Sequence, residues 1–283
     1  MISIIIPNYN SPVIGETINS LLNQNFEGHF EIIIVGKDKY HIIPRFKDKK
    51  IRAIYPRNRT NPAEGRNIGL KAARGDIILF LDADCIAPQN WMNSLVSKQE
   101  LIVVGGVELN SANFWKTCDN FIHLNNLSRH LKSGATNLIC TINMKIPKKV
   151  LLEVGGFDEN LITGEDLDLS LNLKKRGYKF YFNTDSYVYH IPIRNSFSDI
   201  LKHSYSWGLN SMSVRLKHMG GAYLTFLFNT KMLLFIAPFV SLYLTFKTFS
   251  RLKNIRYIYF SLFYFLSKMA WFIGAYQGLK CRL

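Results

Sequence analysis

The chain has 283 residues, 48% of them hydrophobic, and a formal net charge of +15. This length holds one large α/β domain with an appendage, and the apolar share allows a sizeable core. Because Cys85, Cys118, Cys140 and Cys281 contain no C-x-x-C pair, a zinc site or a disulfide framework is not expected, and a reducing cytosolic compartment is favoured. The N-terminus starts with a strand-like run and lacks a basic region or a cleavage site, so we expect no signal peptide.

The positive charge is concentrated towards the C-terminus. Residues 200–283 carry eleven Lys or Arg and no Asp or Glu, whereas the remaining 24 basic and 20 acidic residues leave residues 1–199 at only +4. A basic, aromatic segment could bind nucleic acid. Long apolar runs accompany the cations here, so we expect an anionic membrane surface and no nucleic acid as the partner.

Strand and helix patterns alternate through the first hundred residues. This alternation predicts an α/β fold with a doubly wound, mostly parallel sheet. The predicted strands are Ile2–Ile6, Glu31–Val35, Ile51–Tyr55, Ile77–Leu81 and Leu101–Val104, and the helices between them are Ile14–Gln24, Pro62–Ala73 and Asn90–Val96.

Beyond Gly105 the pattern is looser and then becomes strongly apolar. Ala222–Phe246 and Ile258–Tyr276 each approach the ~20 residues that span a bilayer, which predicts a hydrophobic helical hairpin. Packing of this hairpin without lipid contact is the alternative. The other predicted helices are Trp115–His130, Lys148–Val154, Glu165–Lys175 and an amphipathic Phe197–Lys217, and the late strands are Tyr178–Phe182 and Ser186–His190.

Two carboxylates directly follow the most apolar of these strands. Ile77–Leu81 shows no polar alternation, which is typical of a buried parallel strand, and Asp82-Ala83-Asp84 comes next. Ligands of open α/β sheets bind beyond the carboxyl ends of the strands. Two acids there repel each other unless a cation lies beside them, and a hard divalent ion with a nucleotide diphosphate would satisfy both. A simple surface turn is the alternative, because Asp favours turns.

Five short motifs stand in a fixed order around this pair of acids. They are Pro7-Asn8-Tyr9-Asn10, Gly65-Arg66-Asn67-Ile68-Gly69-Leu70, the run from Ala72 to Asp84, Gly155-Gly156-Phe157-Asp158-Glu159 and Gly164-Glu165-Asp166-Leu167-Asp168-Leu169. In this order and spacing, roughly residues 2–195 closely resemble family 2 glycosyltransferases of the GT-A fold. The resemblance implies a glycosyltransferase domain at 1–199, with a nucleotide-binding half to about 104 and an acceptor half after it. An amphipathic linker helix at 200–221 and a membrane-associated hairpin at 222–283 would follow.

On the donor side, the resemblance implies that Pro7 and Tyr9 line the nucleotide base pocket. Arg66 would lie near the base or the phosphates, and Asp82 would contact the sugar of the nucleoside. One departure concerns the second strand, which usually ends in an Asp-Asp-Gly-Ser type turn in this family. Here the turn reads Val-Gly-Lys-Asp-Lys, and Asp38 is the candidate to contact the base, although its register is shifted by one or two residues.

On the metal and acceptor side, the resemblance implies that Asp84 holds a divalent Mn²⁺ or Mg²⁺ ion on the diphosphate. His190 would add a further metal or diphosphate contact, although a lone histidine is also often structural. Asp166 would be the general base, with Glu165 beside the acceptor. The alternative for Asp166 is helix capping, because Thr163 stands three residues before it as in a capping box.

The implied function is the inverting, metal-dependent transfer of a sugar from a nucleotide-sugar donor to a hydroxyl acceptor. The acceptor would be a cell-surface polysaccharide or a lipid-linked glycan precursor, and the enzyme would act at the cytoplasmic face of the membrane. A non-catalytic nucleotide-sugar-binding or lipid-binding subunit on the same fold is the alternative, and the joint presence of Asp82, Asp84 and Asp166 argues against it. Nucleic-acid binding is a third possibility. It would require cations and aromatic side chains on a polar surface, whereas in this sequence they lie within apolar runs.

The charge pattern of the hairpin bears on its topology. If both apolar stretches spanned the bilayer, the connection Lys247–Arg256, with four cations and no acid, would face outward. This would contradict the tendency of cationic loops to stay in the cytoplasm. We therefore expect a monotopic hairpin that lies in the interface or enters the membrane shallowly, with a two-pass hairpin as the alternative.

Overall fold

The computed structural model describes residues 1–219, 232–252 and 254–280. The chain divides into two compact units. Residues Met1–Glu108 and Lys132–Ile191 form the first, called the α/β unit here, and Leu109–Leu131 with Pro192–Leu283 form the second, called the helical unit. All nine candidate site residues belong to the α/β unit.

Within the described residues, nine strands form one mixed sheet in the α/β unit. They are β1 (Ile2–Tyr9), β2 (Phe30–Lys37), β3 (Ile51–Ile54), β4 (Ile77–Leu81), β5 (Cys85–Ile86), β6 (Ile102–Glu108), β7 (Gly134–Thr136), β8 (Asn143–Pro147) and β9 (Phe180–His190). The order is β3-β2-β1-β4-β8-β6-β9-β5, and β7 also pairs with β9. Strands β1 to β4 pair in parallel, as predicted, whereas β8 runs antiparallel to both of its neighbours.

The described helices follow the apolar periodicity of the sequence closely. They are α1 (Ile14–Leu22), α2 (Pro62–Ala72), α3 (Trp91–Val96), α4 (Phe114–Leu124), α5 (Lys148–Glu153), α6 (Glu165–Lys175), α7 (Phe197–Met219), α8 (Met232–Leu252) and α9 (Ser261–Lys280). Helix α1 buries Ile14, Ile18 and Leu21 on one face, as its spacing predicts. Helix α2 begins with a complete capping box, in which Asn61 and Glu64 each bond the backbone of the other.

The strands β5, β7 and β8 were not predicted. Strand β8 reads Asn-Met-Lys-Ile-Pro, and its lysine, Lys145, is only 6% exposed. The Lys145 ammonium group donates to the Lys98 carbonyl at 2.6 Å. Because the long side chain can satisfy its charged end in this way, a polar residue is accommodated in a central strand. The two predicted late strands form the single strand β9, whose register shifts opposite Gly105 and Gly106.

In the helical unit, aromatic side chains join α4 to the chain between α8 and α9. Phe121 of α4 lies in contact with Phe249, Tyr257, Phe260 and Tyr264, with ring centroids 5.1 to 5.7 Å apart. These rings belong to one buried apolar cluster that also includes other α4 side chains. The predicted helix Trp115–His130 ends earlier than expected, at Leu124, and continues as the 3-10 turn Asn125–Leu127.

Glycines allow α7 and α9 to approach each other backbone to backbone. A Cβ atom at Gly274 would lie 2.0 Å from the Tyr205 carbonyl oxygen, and one at Gly208 would lie 2.0 Å from that of Trp271. Neither position could accept a larger residue without separating the helices. Packing through small residues is typical of helices in lipid, where close contact replaces the hydrophobic effect.

A buried acid, Asp119 of α4, organises the polar interior of the helical unit. Arg194 Nε donates to its two carboxylate oxygens at 2.9 and 3.0 Å, and His123 Nδ1 lies 2.9 Å from Oδ1. The other ring nitrogen of His123 lies 3.0 Å from the Ser204 hydroxyl. Burial alone would raise the pKa of Asp119, but His123 and Arg194 hold it well below its usual value. Burial lowers the pKa of His123, although Asp119 opposes that shift.

Asp119→Asn should lower the free energy of unfolding at pH 7 by about 3 kcal/mol, because it leaves the partly buried Arg194 without its carboxylate. A depressed pKa stabilises the folded chain above the unfolded pKa of about 3.9, and this stabilisation is lost as the pH falls towards the folded value. The gap between wild type and variant should therefore narrow below about pH 4. Urea titrations in detergent at several pH values measure it, with the exposed Asp199→Asn as control; a gap that is constant with pH would contradict this account.

Two described helices are long and apolar enough to cross a membrane, Leu233–Leu252 and Ile255–Lys280. Only 28% and 33% of their most apolar windows are buried within the protein. Of the predicted stretch Ala222–Phe246, residues 222–231 lie outside the described part of the chain. The second predicted stretch, Ile258–Tyr276, falls within a 3-10 turn (Ile255–Phe260) and α9.

Candidate active site

The turn that carries the two acids after β4 is fixed by its backbone. The carbonyl oxygen of Ala83 accepts hydrogen bonds from the Ser11 hydroxyl at 2.9 Å and from the Thr17 hydroxyl at 3.1 Å. The Cys85 N–H closes the turn on the Asp82 carbonyl at 3.2 Å. Both hydroxyls come from the segment after β1, so residues that follow the neighbouring strand hold the backbone between the two carboxylates. These hydrogen bonds fix the conformation of the turn at the edge of the sheet.

Asp84 and His190 meet because β5 pairs with the end of β9. Cys85 lies opposite His190 in that antiparallel pair, and the Ile191 N–H donates to the Asp84 carbonyl at 2.8 Å. The Asp84 Oδ2 atom then lies 3.4 Å from Nε2 of His190, which is 8% exposed. The structure thus brings together the two predicted metal ligands.

This donor pair fits a divalent cation that is shared with a diphosphate. Among the described residues, no group of three or more His, Cys, Asp or Glu side chains could hold a metal ion alone. A carboxylate oxygen and an imidazole nitrogen form a partial site, and ions of the Mg²⁺ type usually take their remaining ligands from substrate phosphates and water. The imidazole favours a softer ion such as Mn²⁺ over Mg²⁺.

Arg66 lies between two carboxylates that are far apart in the sequence. Its Nη2 donates to Asp82 Oδ1 at 3.0 Å, and its Nη1 donates to Glu165 Oε1 at 2.7 Å. The guanidinium side chain is only 4% exposed, and its Nε has no hydrogen-bond partner within the described residues. Burial lowers the pKa of Arg66, but Asp82, Asp166 and Glu165 together raise it above its usual value. In this structure the guanidinium group is engaged by carboxylates.

Burial also raises the pKa of the two acids that Arg66 bridges. For Asp82, Arg66 opposes the effect of burial, and the charge of Asp84 adds to it. For Glu165, the neighbouring Asp166 adds to the effect of burial, and Arg66 opposes both. The site is therefore a group of acids held together by one buried cation, Arg66. A bound metal ion would reduce the repulsion between these acids.

Asp166 is oriented by a threonine and does not cap its helix. The Thr141 N–H donates to its Oδ2 at 3.1 Å, and the Thr141 hydroxyl donates to Oδ1 at 2.8 Å. The N-cap of α6 is Gly164, with φ of 90° and no side-chain hydrogen bond. Thr163 Oγ1 has no hydrogen-bond partner in the described part of the chain. The capping-box alternative is therefore not what the structure contains.

Asn67 explains why the Gly-Gly-Phe motif belongs with helix α2. Its side chain donates to the Phe157 carbonyl at 2.9 Å and accepts from the Phe157 N–H at 3.0 Å. A Cβ atom at Gly156 would lie 2.6 Å from Asn67 Oδ1, and φ is 76° there, so only glycine fits. The same helix thus positions the loop before α6 through Asn67 and the acid Glu165 through Arg66.

The residues predicted to line the base lie at the ends of β1 and β2. Pro7 pairs with Val35 in the sheet, and Tyr9 is 54% exposed with the Arg59 guanidinium 4.3 Å from its ring centroid. Asp38 accepts from the Ile43 N–H at 2.8 Å through Oδ2. Its Oδ1 atom is buried and has no hydrogen-bond partner among the described residues.

The candidate residues form two groups beyond the carboxyl ends of the parallel strands. One group surrounds Arg66 and the acidic turn, and the other contains Pro7, Tyr9 and Asp38. The sequence did not predict the contributions of Thr141, Asn67 and Arg59. Asn67 stands beside Arg66 in one of the five sequence motifs, whereas no motif indicated Thr141.

Arg66→Met should destabilise the α/β unit by about 3 kcal/mol, since it leaves Asp82 and Glu165 without their buried cation. Donor affinity should fall as well, because the turn with Asp82 loses its partner. Arg66→Lys should recover only part of the loss, as one ammonium group cannot reproduce a two-armed bridge. Thermal unfolding and donor titration measure both effects. Lys71→Met, at an exposed position of the same helix, is the control; equal behaviour of the two Met variants would contradict the bridge.

The sequence matches two family descriptions and several glycosyltransferases. "Glycosyl transferase family 2" matches residues 3–117, and "Glycosyl transferase family group 2" matches residues 77–277. The curated protein Glycosyltransferase AglE of Haloferax volcanii is 25% identical over 225 residues, which cover 75% of this chain and 73% of AglE.

Solved structures share the fold. The mannosyltransferase PcManGT from Pyrobaculum calidifontis, in complex with GDP-Man and Mn²⁺, gives a TM-score of 0.58 at 16% identity over 76% of this chain and 64% of that chain. The S. aureus protein TarS 1-349, in complex with UDP-GlcNAc, gives a TM-score of 0.55 at 17% identity over 77% and 67% of the two chains. The match thus spans just under two thirds of the mannosyltransferase. These likenesses confirm the predicted GT-A fold.

The second family match extends from the β4 strand, through the acidic turn and the α6 acids, into the apolar C-terminal segment. It covers more than half of the chain, and the two matches together include every candidate site residue from Pro7 to His190. The chain therefore belongs to glycosyl transferase family 2, and the protein is a glycosyltransferase.

Proposed function

We propose that the protein transfers a sugar from a nucleotide-sugar to a hydroxyl acceptor with inversion at the anomeric carbon, and that it needs a divalent metal ion. The observation that carries this proposal is the buried Arg66, which bonds Asp82 of the donor side and Glu165 of the acceptor side at 3.0 and 2.7 Å. The acids of two distant motifs thereby belong to one site. The complexes of the similar structures, PcManGT with GDP-Man and Mn²⁺ and TarS with UDP-GlcNAc, support a nucleotide-sugar donor.

The general base of this reaction is Asp166. The acceptor oxygen forms its bond to the anomeric carbon while the bond from that carbon to the diphosphate oxygen breaks. The proton of the acceptor hydroxyl passes to a carboxylate oxygen of Asp166. A single displacement from the face opposite the diphosphate inverts the configuration. Glu165 lies beside the acceptor and is held there by Arg66.

The donor is held from the sheet edge. Tyr9 and Pro7 line the base, Asp38 accepts from it through its unpartnered oxygen, and Asp82 contacts the ribose. Asp84 and His190 would hold the metal ion, and the ion would supply positive charge to stabilise the leaving diphosphate. Arg66 keeps Asp82 in place and supplies a fixed positive charge nearby.

A donor screen tests the proposal. Purified protein with Mn²⁺ or Mg²⁺ is offered a panel of nucleotide-sugars, and donor hydrolysis and thermal shift are recorded. One nucleotide-sugar should stabilise the protein in the presence of metal, and its slow hydrolysis should release a sugar of inverted configuration, visible by NMR. Metal-independent turnover, or a product with retained configuration, would contradict the proposal.

The C-terminal segment supports action at the cytoplasmic face of a membrane on a polysaccharide or lipid-linked acceptor. Within 1–199 lies the proposed catalytic domain, followed by the linker at 200–221 and the membrane-associated hairpin at 222–283. Helix α8 exposes a row of apolar side chains, Phe235, Phe239, Leu242, Tyr243 and Phe246, each 59–74% exposed. Their spacing is that of one helix face, and an apolar row on a basic segment fits an anionic lipid surface.

The charge pattern supports the monotopic hairpin over the two-pass alternative, because the connection Lys247–Arg256 carries four cations and no acid. Within the helical unit, the connection between α8 and α9 packs on α4 through Phe121. Arg251 at the end of α8 donates to the side chains of Asn125 and Asn126 at 2.9 and 2.7 Å.

Asn254→Cys, in a background that lacks the four native cysteines, should react with an impermeant thiol reagent only after the cells are permeabilised. Asn254 lies in the connection between α8 and α9, which we expect to remain at the cytoplasmic leaflet. Lys47→Cys, at an exposed position of the α/β unit, reports the side of the catalytic domain. If Asn254→Cys reacts from outside intact cells while Lys47→Cys does not, the hairpin crosses the membrane twice.

A further inference from the structure

Thr141 engages both oxygens of the Asp166 carboxylate. Its backbone N–H reaches Oδ2 at 3.1 Å and its hydroxyl reaches Oδ1 at 2.8 Å. Thr141 itself is completely buried, so water does not compete for these bonds. The threonine is 25 residues away in the sequence and outside all five motifs. Two donors from one rigid residue fix both the position of the carboxylate and its rotation.

The segment around Thr141 is in turn fastened to α6. The Ile139 N–H donates to the Ser170 hydroxyl at 3.0 Å, and that hydroxyl donates to the Asp166 carbonyl at 2.7 Å. Within the described part of the chain, the Ser170 hydroxyl thus hydrogen-bonds backbone atoms, whereas Thr141 hydrogen-bonds the carboxylate itself. The two hydroxyls belong to one clamp but touch different parts of Asp166, so they can be separated experimentally.

We propose that Thr141 is a positioning residue for the general base: it holds the Asp166 carboxylate in the rotation that accepts the proton of the acceptor hydroxyl. The inference rests on the role proposed above for Asp166. A carboxylate offers about four lone-pair sites, of which Thr141 occupies two. The sites that remain point in fixed directions, and a base must lie within hydrogen-bond reach and in line with the proton it removes.

The other charged or titratable groups around Asp166 do not replace Thr141. Glu165 precedes it on the same helix and is bonded to Arg66. Arg66 approaches from α2 with both of its terminal nitrogens engaged. The Cys140 thiol also hydrogen-bonds the Asp166 side chain, and it is neutral because burial raises its pKa well above the usual value and the charge of Asp166 adds to this effect. Of these neighbours, Thr141 is the one with donors on both carboxylate oxygens.

Three variants test the proposal in the full-length enzyme. Thr141→Val keeps the shape and the backbone N–H but removes the hydroxyl, Thr141→Ser keeps the hydroxyl, and Ser170→Ala removes the part of the clamp that touches only backbone. We expect Thr141→Val to lower kcat by roughly 10- to 100-fold with donor KM within about twofold. A residue that only supported the fold would not separate kcat from donor KM in this way, because the donor contacts are proposed to lie on other residues.

Thr141→Ser should restore kcat, and Ser170→Ala should lower kcat less than Thr141→Val does. Thr141→Val in an Asp166→Asn background should add no further loss. A wild-type kcat in Thr141→Val, a Ser variant as impaired as the Val variant, or additive losses in the double variant would overturn the proposal. If Thr141→Val does not fold, Thr141→Ala removes the same hydroxyl and is judged by the same criteria.

The design separates this proposal from the one on which it rests. If Asp166→Asn alone keeps the wild-type rate, Asp166 is not the base, and both proposals fail. If Asp166→Asn is impaired while Thr141→Val matches wild type in kcat and donor KM, the base stands and the positioning role is overturned.

Discussion

Asp166→Asn should lower kcat by about 10²- to 10⁴-fold and change donor affinity little. The amide is nearly the same shape as the carboxylate but cannot take a proton from the acceptor hydroxyl. The donor contacts lie on other residues, so the ground-state complex with the nucleotide-sugar should persist. Initial rates over a donor titration measure the change in kcat. Calorimetry measures the donor affinity separately.

Two features make this variant informative. The Thr141 N–H can still donate to the Asn side-chain oxygen, and the Asn amide group can donate to the Thr141 hydroxyl, so folding should be largely preserved. Because Gly164 is the N-cap of α6 and carries no side-chain bond, a loss of rate cannot be assigned to a lost helix cap. The matched control is Asp185→Asn, which removes a carboxylate that is 75% exposed in the same unit. A wild-type rate in Asp166→Asn would exclude this residue as the base.

The acidic turn could be predicted from the sequence because its signal is local. A strand without polar residues, Ile77–Leu81, is buried on both faces, and its carboxyl end must lie at the ligand edge of a parallel sheet. The residues after it, Asp82 and Asp84, then occupy that edge whatever the rest of the chain does. The structure agrees on the bounds of β4.

Contacts that depend on distant pairing could not be predicted in the same way. Asp84 meets His190 only because the two-residue strand β5 pairs antiparallel with β9, and two residues carry no periodicity to recognise. Strand β8 was missed for a related reason. It is short and contains Lys145, whose ammonium group leaves the sheet to reach a carbonyl oxygen.

Arg66 shows how a motif can predict a location without predicting a partner. The resemblance implied a position near the base or the phosphates, and the side chain does lie at the sheet edge. Its guanidinium group is bonded there to Asp82 and Glu165, so it acts as a bridge between the acidic turn and the first turn of α6. A sequence alone cannot distinguish a cation that faces a ligand from one that bridges two acids, because both require the same residue at the same helix position.

The acceptor side of the site lacked a readable motif for a different reason. Thr141 is recognised by its contacts with Asp166, and threonine is common in loops of any function. Only the fold brings its segment to the first turn of α6. The same holds for Ser11 and Thr17, whose hydroxyls fix the acidic turn through the Ala83 carbonyl.

Asp84→Asn should abolish metal-dependent turnover while leaving the fold intact. The carboxylate supplies the charged oxygen of the proposed metal site, beside His190 Nε2 at 3.4 Å. Loss of a residue that merely orients a ligand costs 10- to 100-fold in metal affinity, so loss of the ligand charge should cost roughly 100-fold or more. The fold should tolerate the change, because the Ile191 N–H bonds the backbone carbonyl of residue 84 and not its side chain.

Mn²⁺ titrations followed by calorimetry and by turnover measure the two consequences independently. Asp82→Asn, in comparison, should weaken donor binding as well, since it also releases Arg66. Asp76→Asn is the control for the loss of one negative charge, because Asp76 directly precedes β4 and its side chain is 96% exposed. If Asp84→Asn retains wild-type turnover across the whole metal titration, Asp84 does not hold the ion. The convergence of Asp84 and His190 would then be a structural pairing of β5 with β9.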